Sequence, residues 1–131
     1  MSSGYSSTPQ ARKLGLKPGS RLAVLGAPSG WSLVDPPPTV AAAAGAGGAD
    51  VLIVFVRAAA DLDGLAALGE RVFPDGAIWV AWPRKAAGHR SDVTENGIRD
   101  AVLPHGLVDV KVAAIDPDWS GLKIVWRRAN R

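Results

Sequence analysis

A glycine-containing loop that is a candidate ligand-binding site follows the first strongly apolar run of the chain. The run ends at Leu25 and continues into Gly26, Ala27, Pro28, Ser29, Gly30 and Trp31. Glycines let a backbone approach a ligand closely, and its N–H groups can then bind an anion, but Pro28 has no N–H to donate. Neither Gly-x-x-x-x-Gly-Lys-Ser/Thr nor Gly-x-Gly-x-x-Gly occurs, so nucleotide hydrolysis and dinucleotide redox chemistry have no support. The alternative is a tight turn at a strand end.

A second group combines aromatic and cationic residues that follow other predicted strands. If those strands are parallel, their carboxyl ends meet at one edge, where ligands of open α/β sheets bind. Flat apolar rings with cations suit a small anionic ligand or a protein partner. The alternative is that the tryptophans pack on the body and the cations are solvated. The candidate binding residues in this group are Arg57, Trp82, Arg84, Lys85 and Trp119.

The titratable residues do not form a recognisable catalytic or metal-binding set. His89 lies near Arg90 and Asp92, and a His–Asp pair there could transfer protons; the alternative is a surface histidine, and we retain His89 only as a candidate binding residue. His105 follows Pro104 at a predicted helix end, where a positive ring suits the helix dipole. Two separated histidines with scattered aspartates make no metal site, and no Gly-x-Ser-x-Gly motif is present. We assign no catalytic residue, no metal and no cofactor.

Length, amino-acid composition and net charge indicate which class of protein to expect. The chain has 131 residues, 47% of them hydrophobic and 21% charged, a length and balance that suit one globular domain. Cysteine is absent, which excludes disulfides and thiolate chemistry and fits the cytoplasm. The N-terminus does not resemble a secretion signal, and no apolar run has membrane-spanning length. The net charge is +3, but the positive residues lie in short groups, two of them near the chain ends, so we do not expect nucleic-acid binding.

Helical and strand patterns alternate along the chain. This alternation predicts a three-layer, Rossmann-like α/β fold, with a mostly parallel sheet of about six strands that ends in an antiparallel hairpin. We predict a flexible N-terminus over residues 1–7, one domain over 8–128 and a tail over 129–131. The predicted strands are Arg21–Leu25, Thr39–Ala44, Val51–Val56, Ala77–Trp82, Leu107–Ile115 and Leu122–Arg127. The predicted helices are Thr8–Gly15, a short helix before Pro36, Asp61–Val72, and one that begins with a capping box at Asp92 and ends before Pro104.

Two stretches resemble class I methyltransferases, which use S-adenosylmethionine. The run LGLKPGSRLAVLGAPSG, from Leu14 to Gly30, is similar to the helix, turn and first strand that precede their cofactor loop, and FPDGAIWVAWP is similar to their fifth strand. The chain also resembles a family of small bacterial proteins classed as a domain of unknown function. The stretches that carry this second resemblance are GYSSTP, LGAPSGW, WVAWPRKA and GLVDVKVAAIDPDWSGLKIV.

The methyltransferase resemblance implies a cofactor site that this chain has altered. A methyltransferase of this class would have a pliable glycine-rich loop after strand one and a carboxylate at the end of strand two. Here Ala27 and Pro28 separate the two glycines, and no acidic residue occurs from Thr39 through Ala49. The short stretch before Val51 also implies that one strand of the parent sheet is absent. We therefore expect a degenerate cofactor site.

Three functions are compatible with the sequence. We expect a non-enzymatic binding or regulatory module. The first alternative is an enzyme that acts on a small anionic metabolite through Arg84, Lys85 and His89. The second is a protein-interaction or self-association module, such as a homodimer, that uses a sheet edge or the tryptophan-bearing rim.

Overall fold

A six-stranded mixed sheet forms the centre of the protein in the computed structural model, which describes residues 10–43 and 48–131. The strand order is β2-β1-β3-β4-β6-β5. Strands β2, β1, β3 and β4 run parallel, whereas β6 is antiparallel to both β4 and β5. This confirms the predicted α/β class and the closing hairpin. The strands are β1 (Arg21–Leu25), β2 (Ala41–Ala42), β3 (Val51–Phe55), β4 (Ala77–Pro83), β5 (Leu107–Asp116) and β6 (Trp119–Trp126).

Helices cover both faces of the sheet, and the two faces have separate cores. The helices are α1 (Gln10–Leu14), α2 (Gly69–Val72) and α3 (Glu95–Val102). On the α3 side, Leu52, Ile78 and Ile98 belong to one buried cluster. On the α1 side, Leu14 and Trp79 belong to the other. Successive strand residues point to opposite faces, so one apolar run can supply both cores.

Trp79 anchors the α1 side. Its side chain is completely buried, and its ring Nε1 donates a hydrogen bond of 3.1 Å to the carbonyl of Leu14. A buried indole N–H left without a partner would cost folding free energy, and here the last residue of α1 supplies the acceptor. The bond fixes α1 over the centre of β4.

The predicted helix Asp61–Val72 is wrong. The segment instead forms 3₁₀ turns at Ala59–Leu62 and Leu65–Leu68, followed by the short α2. Gly64 has a φ of 79°, a left-handed conformation that interrupts a right-handed helix. The apolar residues still reach the core, because Leu62, Leu65 and Val72 are buried.

Other local predictions also need correction. The capping residue of α3 is Thr94, whose hydroxyl accepts a hydrogen bond from the Gly97 N–H, and not Asp92. Asp92 accepts a 2.7 Å bond from the Ala59 N–H instead. No helix follows the β1 loop before Pro36. The strand predicted over Thr39–Ala44 is reduced to β2, and Ala44 lies outside the described residues.

The structure describes the C-terminal end of the chain but not its first nine residues. The predicted flexible N-terminus over residues 1–7 and the first two residues of the helix predicted over Thr8–Gly15 lie outside the described residues, as do residues 44–47. Arg128–Asn130 form a 3₁₀ turn, and Asn130 donates a bond of 3.1 Å from Nδ2 to the Gly106 carbonyl. Across 10–43 and 48–131, no helix is long and apolar enough to span a bilayer.

Candidate functional site

The carboxyl ends of the parallel strands and the β5–β6 hairpin turn meet at one edge of the sheet. The loop after β1, the residues after β3 and the end of β4 lie there because these strands are parallel. The hairpin turn joins them because β6 is antiparallel to β4, which pairs Pro83 with Trp119. We call this edge, with the loop Gly26–Trp31, Phe55, Arg57 and Trp119, the junction.

Three aromatic rings pack together in the junction. Phe55 is buried, and its ring contacts those of Trp31 and Trp119 edge-on, with centroid distances of 4.9 Å in both pairs. Trp31 is fixed by a 3.0 Å hydrogen bond from its Nε1 to Oδ2 of Asp116. Edge-to-face pairs of this kind stabilise beyond the area they bury. The rings come from the β1 loop, β3 and β6, so they join three separate parts of the chain.

Arg57 closes the junction. Its Nη1 donates a hydrogen bond of 2.9 Å to the carbonyl of Gly26, and its guanidinium carbon lies 5.4 Å from the centre of the Trp119 ring. The first contact holds the loop after β1, and the second is a cation–π contact with the start of β6. One side chain therefore connects both sides of the predicted ligand-binding edge.

Carboxylate and hydroxyl groups position the backbone of Arg57. Oδ2 of Asp61 accepts hydrogen bonds from the N–H groups of Arg57 and Ala58, at 2.8 and 3.1 Å. The bond from the Arg57 N–H is the main reason why the pKa of Asp61 lies below its ordinary value, and the bond from the Ala58 N–H lowers it further. The Ser91 hydroxyl donates a 2.8 Å bond to the Arg57 carbonyl. The segment after β3 is thus held on both its N–H and its carbonyl side.

The backbone conformation of Gly26 explains why glycine stands at the end of β1. Its φ is 72°, and a Cβ at this position would lie 3.0 Å from the carbonyl oxygen of Phe55. Gly30 has a similar φ of 76°, yet a Cβ there would meet nothing within 4 Å. Pro28 accepts a 3.0 Å bond from the Trp31 N–H, which closes the loop as a turn. Ala27 is half-buried against the α1-side core, whereas Ser29 is exposed.

Trp82 does not belong to the junction. It is three residues from Trp79 in β4, so its side chain points to the opposite face, where it packs against the α3-side core. The structure therefore separates Trp82 from Trp119, although both lie near the same edge. The two tryptophans do not share one binding surface.

Unlike Arg57, the predicted binding residues Arg84, Lys85 and His89 lie outside the junction. Arg84 donates from its backbone N–H to Asp118 and from Nη1 to the Pro117 carbonyl, at 2.8 and 3.3 Å. His89 Nε2 lies 3.0 Å from Oδ1 of Asp118, so its partner is Asp118 and not Asp92. Lys85 is exposed at the start of a 3₁₀ turn, Lys85–Ala87. Within the described ranges, no group of three histidine, aspartate or glutamate side chains could hold a metal ion.

An apolar groove that the sequence did not predict lies beside β1 and β2. Its volume is about 550 Å³. Because no helix follows the β1 loop, part of the α1 face of β1 is uncovered, and Val24 is 36% exposed. The strand residues that line the groove are Leu22–Leu25 and Ala41–Ala42; the loop residues include Trp31, Leu33, Pro36 and Val40.

The fold has a solved counterpart. The chain matches the crystal structure of a ribosomal protein L11 methylase from Lactobacillus delbrueckii subsp. bulgaricus, with a TM-score of 0.57 and 14% sequence identity over 91% of this chain and 75% of that chain. No known-family profile matched, and no curated protein matched. At this identity the likeness shows the fold alone, and membership of the bacterial family stays a prediction. The chain therefore has the methyltransferase-like α/β fold that its sequence resembles.

Proposed function

We propose that this protein is a non-enzymatic binding module in which the cofactor region of a methyltransferase-like fold has become part of the packed structure. One observation carries the proposal: Arg57 bonds the Gly26 carbonyl and lies over the Trp119 ring. A side chain of this protein takes the position above the β1 loop where the fold would hold a ligand.

The residues of the junction do not fit S-adenosylmethionine. An adenosine and its ribose need an open crevice beyond the strand ends, and here the Phe55 ring contacts the rings of both Trp31 and Trp119. Ribose hydroxyls need a hydrogen-bond acceptor at the end of the second strand, and residues 39–49 contain no acidic side chain. Pro28 further removes an N–H from the loop. These three features support a structural role for the junction.

Calorimetry tests the proposal. Titration of the protein with S-adenosylmethionine at millimolar concentration is expected to give no binding heat. The Arg57→Ala variant, which removes the bridging side chain, is expected to give none either, because the aromatic rings still fill the space. Micromolar affinity in the wild-type protein would overturn the proposal. Micromolar affinity in Arg57→Ala alone would overturn the claim that the rings exclude the ligand.

A second candidate function rests on the hairpin turn. His89 and Asp118 form a pair beside Arg84, a set that could bind or protonate a small anion. Both members are exposed, with side chains 45% and 64% accessible, and so they are largely solvated. Pyrophosphate is a suitable probe, and we expect it to leave the melting temperature unchanged. A stabilisation that Arg84→Ala and Lys85→Ala together abolish would favour this candidate over the binding module.

A further inference from the structure

Two lysines of the closing hairpin face each other on the α1 side of the sheet. Lys111 of β5 pairs directly with Lys123 of β6, and Lys123 in turn pairs with Trp79 of β4. Paired residues of neighbouring strands point to the same face, and Trp79 points to the α1 side. The Lys123 ammonium approaches the end of α1, because a Cβ at Gly15 would lie 4.0 Å from its Nζ.

Two further cations join this face. The side chain of Lys13 in α1 is buried, and its Nζ donates a 3.1 Å hydrogen bond to the Ala114 carbonyl in β5. Burial lowers the pKa of Lys13, and the charges of Lys111 and Arg84 lower it further. The two neighbours are therefore close enough for their repulsion to act on Lys13. We call Lys13, Arg84, Lys111 and Lys123 the basic face.

Three cations of the basic face have no carboxylate partner within the described residues. Arg84, Lys111 and Lys123 take part in no ion pair with an acidic side chain there. Two acidic residues of the hairpin turn, Asp116 and Asp118, have side-chain contacts with Trp31 and His89. Like charges directly opposite each other on paired strands destabilise a sheet. An anionic partner would relieve this repulsion.

The adjoining strand β5 has an open edge in the part of the chain that the structure describes. Among residues 10–43 and 48–131, it is the last strand of the sheet and pairs with β6 alone. Near its end, Gln10 and Lys13 bind the carbonyls of Ile115 and Ala114, so α1 covers that part of the edge. The earlier part carries Val112, which is 49% exposed and pairs with Leu122 of the α3-side core. Val112 and Lys111 therefore point to opposite faces of the same open edge.

We propose that β5 binds an extended acidic segment of a partner protein, which adds to the sheet as a further strand. Main-chain hydrogen bonds to the open edge would supply affinity, and alternating side chains would supply specificity. Carboxylates of the segment would face Lys111 and Lys123 on one side. Its apolar residues would cover Val112 on the other. This proposal does not depend on the closed junction, which lies in other residues.

Two other occupants fit the surface less well. A nucleic acid would use the cations but has no aliphatic group for Val112, and three of the rings that could stack on bases are packed in the junction. A second copy that continued the sheet through β5 would bring its own Lys111 to the same face and add repulsion. A polypeptide in which acidic and apolar residues alternate can contact Lys111 on one face of the edge and Val112 on the other.

Fluorescence anisotropy with a labelled peptide of alternating glutamate and valine tests the proposal. We expect saturable binding that weakens as salt is added, and weaker binding of a glutamine–valine peptide. Lys111→Glu is expected to reduce affinity at least about tenfold, whereas Arg128→Glu, the same charge change in the C-terminal turn, changes it by about twofold or less. Val112→Lys should also weaken binding, although it adds a positive charge.

Several results would overturn the proposal. They are no saturable binding of the acidic peptide, equal binding of the neutral peptide, equal losses in Lys111→Glu and Arg128→Glu, and tighter binding by Val112→Lys. A DNA oligonucleotide that binds more tightly than the peptide would assign the face to nucleic acid instead. Circular dichroism of each variant checks that the fold is intact. Calorimetry with S-adenosylmethionine measures ligand binding at the junction and does not involve β5. The two proposals can therefore fail independently.

Discussion

Arg57 donates a 2.9 Å hydrogen bond to the carbonyl of Gly26, so that a side chain from the end of β3 closes over the loop that follows β1. The two residues are 31 positions apart in the sequence. Parallel pairing of β1 with β3 makes the contact possible, because Leu25 pairs with Val54 and both strands end at the same level. The contact therefore makes the edge where the sequence predicted a ligand part of the packed structure.

Arg57→Ala should lower the free energy of unfolding by about 1–3 kcal/mol, the sum expected for a charge-assisted hydrogen bond and an exposed cation–π contact. Urea denaturation at unchanged m-value measures the loss. Arg90→Ala is the matched control, because Arg90 is exposed and makes no described contact. Equal stability of the two variants would mean that the Arg57 contacts contribute nothing.

Gly26→Ala should destabilise the protein more than Gly30→Ala. Both positions have left-handed φ angles, so both substitutions carry a conformational cost of about 1–2 kcal/mol. Only at Gly26 does the new Cβ approach a backbone oxygen, at 3.0 Å from Phe55. The difference between the two unfolding free energies isolates this steric cost. A smaller loss at Gly26 would show that the loop shifts freely away from β3.

Trp31→Phe should cost about 1–2 kcal/mol, because it keeps an aromatic ring against Phe55 but removes the Nε1 bond to Asp116. A double-mutant cycle with Asp116→Ala measures the coupling directly. This control is needed because Asp116 also accepts bonds from the N–H groups of Asp118 and Trp119. A coupling energy of zero would show that the Trp31–Asp116 bond adds no stability.

The contribution of Asp50 should depend on pH. Its Oδ2 accepts a 2.8 Å hydrogen bond from the Arg21 N–H, and this bond lowers the pKa of the carboxyl from its ordinary 3.8. A lowered folded-state pKa gives stability that is present above pH 3.8 and is lost as the pH falls through the folded value. Asp50→Asn should therefore be less stable than wild type at neutral pH, with a difference that shrinks below pH 3.8.

Asp75→Asn is the control for this pH series, because Asp75 is exposed in the turn before β4. We expect it to follow the wild-type stability curve. Unfolding by urea at a series of pH values measures all three proteins. A constant difference between Asp50→Asn and wild type across the acid range would contradict the linkage.

Buried strands were the most predictable part of the fold. The predicted bounds of β1 agree with the structure, and those of β3 and β4 differ by one residue at one end. Continuous apolar runs between turn residues specify strands, and β3 and β4 are mostly buried, as such runs indicate. The run in β1 gives the strand but not its burial, because no helix covers part of its α1 face and Val24 is 36% exposed. The prediction of a helix over Asp61–Val72 was wrong because leucines spaced three residues apart are compatible with 3₁₀ turns as well as with an α-helix. The left-handed Gly64 decides between them.

The sequence predicted where the junction lies, but it did not predict which face of the sheet each candidate residue occupies. Strand ends alone were enough to expect Gly26, Arg57 and Trp119 at one edge. The position of Trp82 follows from alternation in β4, and counting three residues from Trp79 would have placed it on the opposite face.

The basic face was missed because charges were grouped along the sequence. Lys13 lies in α1, Arg84 follows β4, and Lys111 and Lys123 lie in β5 and β6, so the four are not neighbours in the sequence. Only the register of the β5–β6 hairpin brings the two lysines opposite each other, and a bulge between Asp109 and Lys111 shifts that register by one residue. Without the bulge, Lys111 would point to the other face.

The position of Phe55 between Trp31 and Trp119 has a kinetic consequence. The three rings come from segments that are far apart in the sequence, so their contacts close long loops and should form late in folding. Substitutions in this cluster should therefore accelerate unfolding and leave the refolding rate nearly unchanged. The contacts of Phe55 with Trp31 and Trp119 would then set the lifetime of the native state.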